Sequence, residues 1–114
     1  MTDVKDFATY AEFWPFYLSE HTRRATRLLH VAGTALALIA IIKAIVLFSP
    51  FWLLMAPVIG YGIAWIAHRF VEDNHPATFT YPLWSLRGDL EMSWLWVTRR
   101  LDAELAKYNI STTT

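Results

Sequence analysis

Two apolar runs of nearly equal length, residues 28–48 and 51–71, meet at the dipeptide Ser49-Pro50, and few folds can accommodate them. At about 1.5 Å of rise per residue, each run makes a helix about 30 Å long, the thickness of the hydrocarbon core of a bilayer. Neither run has a polar face to turn towards water, as a soluble amphipathic helix would. Proline cannot continue the helical hydrogen-bond ladder and restricts the residue before it, so the chain turns there and comes back. The reading is an antiparallel hairpin of two transmembrane helices within one membrane domain, residues 1–114. Ala32, Gly33, Ala37, Ala40 and Ala44 on the first arm, and Ala56, Gly60 and Ala64 on the second, offer small surfaces for close packing. Pro57 is expected to bend the second arm.

The flanks set orientation and class. Arg23, Arg24 and Arg27 precede the hairpin and Arg69 ends it, while the tip carries no charge. The positive-inside rule then places both termini in the cytoplasm, whether the membrane is a bacterial inner membrane or the endoplasmic reticulum. Lys43, about two turns from the tip, is expected to snorkel to the far surface. Residues 6–18 crowd Phe7, Tyr10, Phe13, Trp14, Phe16 and Tyr17 together. They read as an interfacial helix with Asp6 as N-cap, with Phe7, Tyr10, Ala11 and Trp14 on one face, and with Pro15 kinking or ending it. A soluble aromatic core is the alternative. Over residues 83–108, Leu83, Leu86, Leu90, Trp94, Val97, Leu101, Leu105 and Tyr108 recur every three or four positions, with Arg87, Glu91, Thr98 and Asp102 on the other side. That is one amphipathic helix, too charged to span, with Trp84, Trp94 and Trp96 suited to the membrane surface. The fold class is therefore all-α, a transmembrane hairpin flanked by an aromatic and an amphipathic helix.

Composition removes several functions. The 114 residues are 55% hydrophobic and carry no net charge, with no basic-aromatic repeat, which argues for the lipid bilayer and against nucleic acid as a partner. The first six residues do not make a secretory signal peptide. Cysteine is absent, so a metal must be held by His, Asp or Glu. Two membrane helices bury little surface between them, and a homo-oligomer is expected.

The candidate chemistry lies where the second apolar run stops. On an α-helix His68, Glu72 and His75 fall at i, i+4 and i+7 and share one face. His30 lies about as far before the turn as His68 lies after it, so the hairpin returns the two imidazoles to one depth. With Glu72 they form a two-histidine, one-carboxylate set of the kind that leaves positions open on non-haem Fe(II). Ionisable groups inside membrane helices are rare and usually functional. On a straight helix His21 would stand half a revolution and about 13.5 Å from His30, so it reaches the site only if the helix breaks. Thr26 as N-cap of the first arm would allow that. His75 precedes a proline, which turns it out of helical geometry, and is a candidate ligand only. Asp73 and Asp89 read as a helix-end charge and an N-terminal helix charge. Haem held by His30 and His68 is a further option that no porphyrin pocket supports.

Taken together, His21 and His30 with their spacing, Leu28-Leu29-His30-Val31-Ala32-Gly33-Thr34, His68 with Glu72, and Asn74-His75-Pro76-Ala77-Thr78-Phe79 resemble the Mpo1-like family. The resemblance covers residues 17–105. It implies an Fe(II)-dependent dioxygenase that uses O2 to convert a long-chain 2-hydroxy fatty acid to a fatty acid one carbon shorter. The family's histidine positions fall on His21, His30 and His68 and its acidic position on Glu72; at His75 the pattern usually has arginine, and at Thr26 often asparagine. A 2-hydroxy acid can chelate iron through its hydroxyl and carboxylate, and Arg24, Arg27 or Arg69 could hold the carboxylate. The alternative is a small membrane scaffold or lipid-binding protein whose histidines are structural.

Overall fold

The computed structural model describes residues 7–74 and 80–110. They form five α-helices, α1 Tyr10–Ser19, α2 Arg24–Leu47, α3 Pro50–Ile66, α4 Pro82–Val97 and α5 Leu101–Lys107, with a π-helical turn Ala67–Glu72 continuing α3. No strand occurs among the described residues.

The hairpin forms as its sequence dictates. Phe48 adopts the left-handed conformation (φ 48°) and closes α2, with the amide of Ser49 donating to the carbonyl of Ala44 at 3.0 Å. Ser49 is then the N-cap of α3 and Pro50 its first residue, where a missing N–H costs nothing. Along the seam Gly33, Ala40 and Ala44 of α2 and Ala56 and Ala64 of α3 are buried. A Cβ on Gly33 would sit 3.3 Å from Ile63, and one on Gly60 3.5 Å from Ala37, so the two backbones run close together. Much of the tip end of the arms points outward: Ile45, Val46, Leu47, Phe48 and Leu54 are all more than half exposed. α2 and the α3–π continuation, 24 and 23 residues, are each long and apolar enough to cross a bilayer. Lys43 places its ammonium 3.9 Å from the centre of the Trp52 ring near the tip.

Three boundaries differ from the sequence expectation. α2 begins at Arg24, a turn earlier than the apolar run, and its N-cap is Arg23, so Thr26 is not a cap but a buried residue of the first turn. α1 runs through Pro15 and starts at Thr9, whose hydroxyl accepts from the Glu12 amide; Asp6 lies outside the described residues. Pro57 likewise lies inside α3. The last helix divides: Arg99 is left-handed (φ 62°), Thr98 turns its hydroxyl back onto the Trp94 carbonyl at 2.8 Å, and the Arg100 amide closes on the Leu95 carbonyl at 2.8 Å.

One face also differs. The aromatics of α1 are turned inward: Phe13, Trp14, Tyr17 and Leu18 form a core with Met92 and Leu95 of α4 and Leu101 and Leu105 of α5. The division at Thr98–Arg100 makes this core possible, because it lets α5 fold against α1, where Trp14 donates to Glu104 at 2.8 Å. On α4 the apolar stripe is on the outside, with Leu83 78% and Trp94 60% exposed, and the buried face is Ser85, Gly88, Met92 and Leu95.

Gly88 is required by close approach. A Cβ there would lie 2.8 Å from Cε2 of Tyr17, whose ring is held on both sides by Trp14 and His21. Gly88→Ala is expected to lower stability by about 1–3 kcal/mol, the usual cost of overpacking, read as a lower thermal midpoint in detergent.

Candidate metal centre

Three elements bring one imidazole each to a common point. α1 ends at Ser19, and the stretch 20–23 changes direction before α2 starts, so His21 is not on the helix that carries His30. His30 lies in the second turn of α2, and His68 is the second residue of the π-helical turn. All three side chains are buried, and their ring centroids are 4.4 Å (His21 to His30), 4.7 Å (His21 to His68) and 4.9 Å (His30 to His68) apart. One nitrogen from each falls within 4.8 Å of the others, about twice a metal–imidazole bond of about 2.1 Å.

The outer nitrogens fix the tautomers. His21 Nδ1 lies 2.6 Å from the Tyr17 carbonyl, which only accepts, so Nδ1 carries the proton. His68 Nδ1 lies 2.6 Å from Oδ1 of Asn74, whose Nδ2 donates to the Glu20 carbonyl at 3.1 Å, so the amide oxygen accepts there too. His30 Nδ1 lies 3.3 Å from Oδ1 of Asp89, which also accepts from the Tyr17 hydroxyl. With each Nδ1 donating outward, each Nε2 presents a lone pair inward. His30 Nε2 and His68 Nε2 are 3.1 Å apart, and His21 Nε2 is buried with no hydrogen-bond partner. Three bare acceptors facing one another in a buried site are the donor set of a cation, and a ligating histidine usually has its Nδ1 bonded in this way to a carbonyl, an amide or a carboxylate. A separation of 3.1 Å suits neighbouring ligands of one ion, whose spacing at bonds of about 2.1 Å is about 3.0–3.4 Å. It leaves no plane for a porphyrin between His30 and His68.

The surrounding electrostatics agree. Burial first, then the neighbouring His30 and His68, hold His21 well below the ordinary histidine range, so it is neutral near pH 7. Burial and the Asp89 charge keep the Tyr17 phenol well above its usual value, and it remains a donor. Partial burial, then the neighbouring Glu72 charge, pushes Glu20 up to about 7.

Glu72 faces elsewhere. Its carboxylate accepts from the Thr22 amide (3.2 Å) and hydroxyl, the Arg23 amide (3.0 Å) and the Thr26 hydroxyl (2.7 Å). It thus fastens the stretch entering α2, which carries His21, to the turn that carries His68. The π geometry separates the two directions: in an α-helix residues four apart share a face, whereas the wider π turn sends His68 to the cluster and Glu72 to α2. Asp73 ends this turn in the left-handed conformation, and His75 lies outside the described residues. Arg27 is buried and donates to the carbonyls of His21 (3.1 Å) and Thr22 (2.9 Å). Arg24 and Arg27 line a basin with Arg99 and Asp102, while Arg69 is exposed, 3.9 Å from Asp73.

Two site residues escaped sequence reasoning. Asp89, expected as an N-terminal helix charge, lies two turns inside α4 and orients His30; the signal was a carboxylate between Leu86 and Leu90 on a helix that meets membrane arms. Asn74 orients His68 and was noticed only as part of a motif.

Replacing His30 or His68 with Ala is expected to abolish retention of a divalent metal with helical circular dichroism unchanged, and elemental analysis that finds full occupancy in either variant would exclude this cluster. Asp89→Asn is expected to weaken metal binding about 10–100-fold, the usual cost of losing a second-shell partner, in a competitive chelator titration.

Over residues 7–101 the sequence matches the model of the family described as 2-hydroxy-palmitic acid dioxygenase Mpo1-like. No curated protein and no solved structure matches it. The matched span takes in both arms of the hairpin, all three histidines, and the Asn74 and Asp89 that orient them, and the chain belongs to the Mpo1-like family.

Proposed function

We propose that the chain is an integral membrane Fe(II)-dependent dioxygenase that shortens a long-chain 2-hydroxy fatty acid by one carbon. The observation that carries the reading is the inward convergence of three Nε2 lone pairs, supported by the family's description. His21, His30 and His68 would hold the metal. When bound by three imidazoles, Fe(II) supplies the redox chemistry that O2 needs and leaves positions for the hydroxyl and carboxylate of a 2-hydroxy acid.

The reaction balances without a co-reductant. The bond between C1 and C2 breaks, C2 rises from the alcohol to the carboxyl level, C1 leaves as carbon dioxide, and the remaining oxygen becomes water. The substrate provides all the electrons that O2 takes up.

The protein's residues position and insulate. The Tyr17 carbonyl, the Asn74 amide oxygen and the Asp89 carboxylate each accept from one Nδ1 and so aim the Nε2 of each imidazole inward. Glu72 and Arg27 are positioning residues that hold the stretch bearing His21 in place. The aromatic core of α1, α4 and α5 closes one side against water. The two arms cross the membrane with both termini on the cytoplasmic face, since an outward apolar surface of this size needs lipid around it.

Anaerobic reconstitution with Fe(II), followed by oxygen uptake with a long-chain 2-hydroxy fatty acid, tests the reading. Expected are substrate-dependent O2 consumption, a fatty acid one carbon shorter in equal amount, and loss of both in the His30→Ala and His68→Ala variants. Iron-loaded protein that consumes no oxygen would return the histidines to a structural or lipid-binding role.

A further inference from the structure

A cavity of about 230 Å³ begins at His30 and Asp89 and runs between the arms away from the cluster. Along α2 its wall passes from His30 through Thr34 and Ala37 to Ile41, eleven residues or about 16 Å of helix. That is about half of the ~30 Å hydrocarbon core, the depth of one leaflet, which is the span of a membrane lipid's acyl chain. Ala56 and Gly60 of α3 face this wall, and Leu86 and Leu90 of α4 close the third side. The trough exists because its floor is made of small residues: Gly60 has no side chain and faces the methyl of Ala37, so nothing larger fills the space above them. Its outer lip, Leu38 and Tyr61, is partly exposed, so the groove opens sideways between the arms.

Charge and polarity select the occupant. The groove has charged or imidazole groups only at the end that touches the cluster, and beyond Thr34 its walls are apolar apart from the partly exposed Tyr61. Its volume lies below the ~300–1,000 Å³ of ordinary small-molecule pockets and suits one slim chain. We propose that this groove is the acyl-chain subsite, entered laterally from the bilayer, and that Ile41 at its far end gauges chain length. The inference rests on the dioxygenase reading for the identity of the head group. The occupant is a single-chain 2-hydroxy acid with its two oxygen-bearing carbons beside His30 and its methyl end near Ile41.

Two measurements on the full-length, iron-loaded protein test it. The first is the ratio of kcat/KM for 2-hydroxyhexadecanoate to that for 2-hydroxydecanoate. Ile41→Trp should lower this ratio at least about tenfold, since a hydrophobic pocket discriminates by that order per lost subsite. Ile42→Trp, one residue on and outside the groove, should leave it where it is. The second is photolabelling under anaerobic conditions with 2-hydroxyhexadecanoate bearing a terminal diazirine. The label should fall on Ile41, Pro57 or their groove neighbours and be displaced by unlabelled acid. Labelling spread over Ile42, Ile45 and Val58, as a diazirine phosphatidylcholine would give, overturns the proposal, as does an unchanged ratio in Ile41→Trp. Groove labelling without turnover of any 2-hydroxy acid would instead sink the dioxygenase reading and leave an acyl site, so the two failures are distinct.

Discussion

Three imidazole lone pairs turned towards one another in a dry site are the constraint on which the rest of the structure depends. A buried acceptor without a partner costs about 1–3 kcal/mol, and here three share one small volume, with Nε2 of His30 and His68 only 3.1 Å apart. The arrangement persists because each Nδ1 is held from outside, and the holders come from different elements: the Tyr17 carbonyl of α1, the Asn74 amide beyond the π-helical turn, and the Asp89 carboxylate of α4. A cation held by the three imidazoles would replace their mutual repulsion with three ion–ligand attractions, and every helix that contributes a holder would gain from it. Metal binding and the docking of α1 and α4 onto the hairpin would then be one equilibrium.

The same logic explains why the acidic residue beside His68 is a clasp. A helix that delivers a ligand must also be fixed in rotation, and His21 sits on a stretch with no regular structure of its own. Glu72 supplies the missing order by accepting from both backbone amides and both threonine hydroxyls near the start of α2. Its negative charge also lies by the positive end of that helix. Arg27 binds the same stretch from the opposite direction through the carbonyls of His21 and Thr22. The amides of Thr22 and Arg23 and the carbonyls of His21 and Thr22 are thus taken up by two oppositely charged side chains, and the His21 imidazole has little freedom left.

How much of this was legible depends on whether the signal was local. The hairpin was, because length, apolarity and Ser49-Pro50 are local facts. So was the depth match of His30 and His68, and so was the need for a break between His21 and His30, which follows from helical geometry alone. The location of the break was misjudged: Thr26 is a good cap by residue type, but its hydroxyl is taken by Glu72 from a different helix, 46 positions away. The apolar stripe of α4 was legible as a surface for the membrane, but its interior face was not, because the rule that apolar stripes face the core assumes water outside. Here the interior side of α4 meets Tyr17 and a polar site, so it carries Ser85, Gly88 and Asp89, while Leu83, Leu86 and Leu90 face out. The division at Thr98–Arg100 has no glycine or proline to announce it.

That arrangement of α4 bears on how a metal site could sit at the edge of a membrane. The imidazoles are buried on one side by the aromatic core, which needs no lipid, and on the other by the small-residue seam of the hairpin, which continues into the apolar arms. A 2-hydroxy fatty acid in a leaflet carries its C1–C2 bond at the level where polar head gives way to hydrocarbon. On the membrane reading, His30 and His68 lie at that same level, near the start of α2 and the end of the α3–π continuation. On the dioxygenase reading the substrate would keep its tail in hydrocarbon while its reacting carbons reached the metal, so little of the binding free energy would be spent on extracting it from the bilayer. A soluble enzyme for the same acid would need a closed apolar tunnel of leaflet length. An open trough between two helices would suffice here, because lipid would form its missing wall.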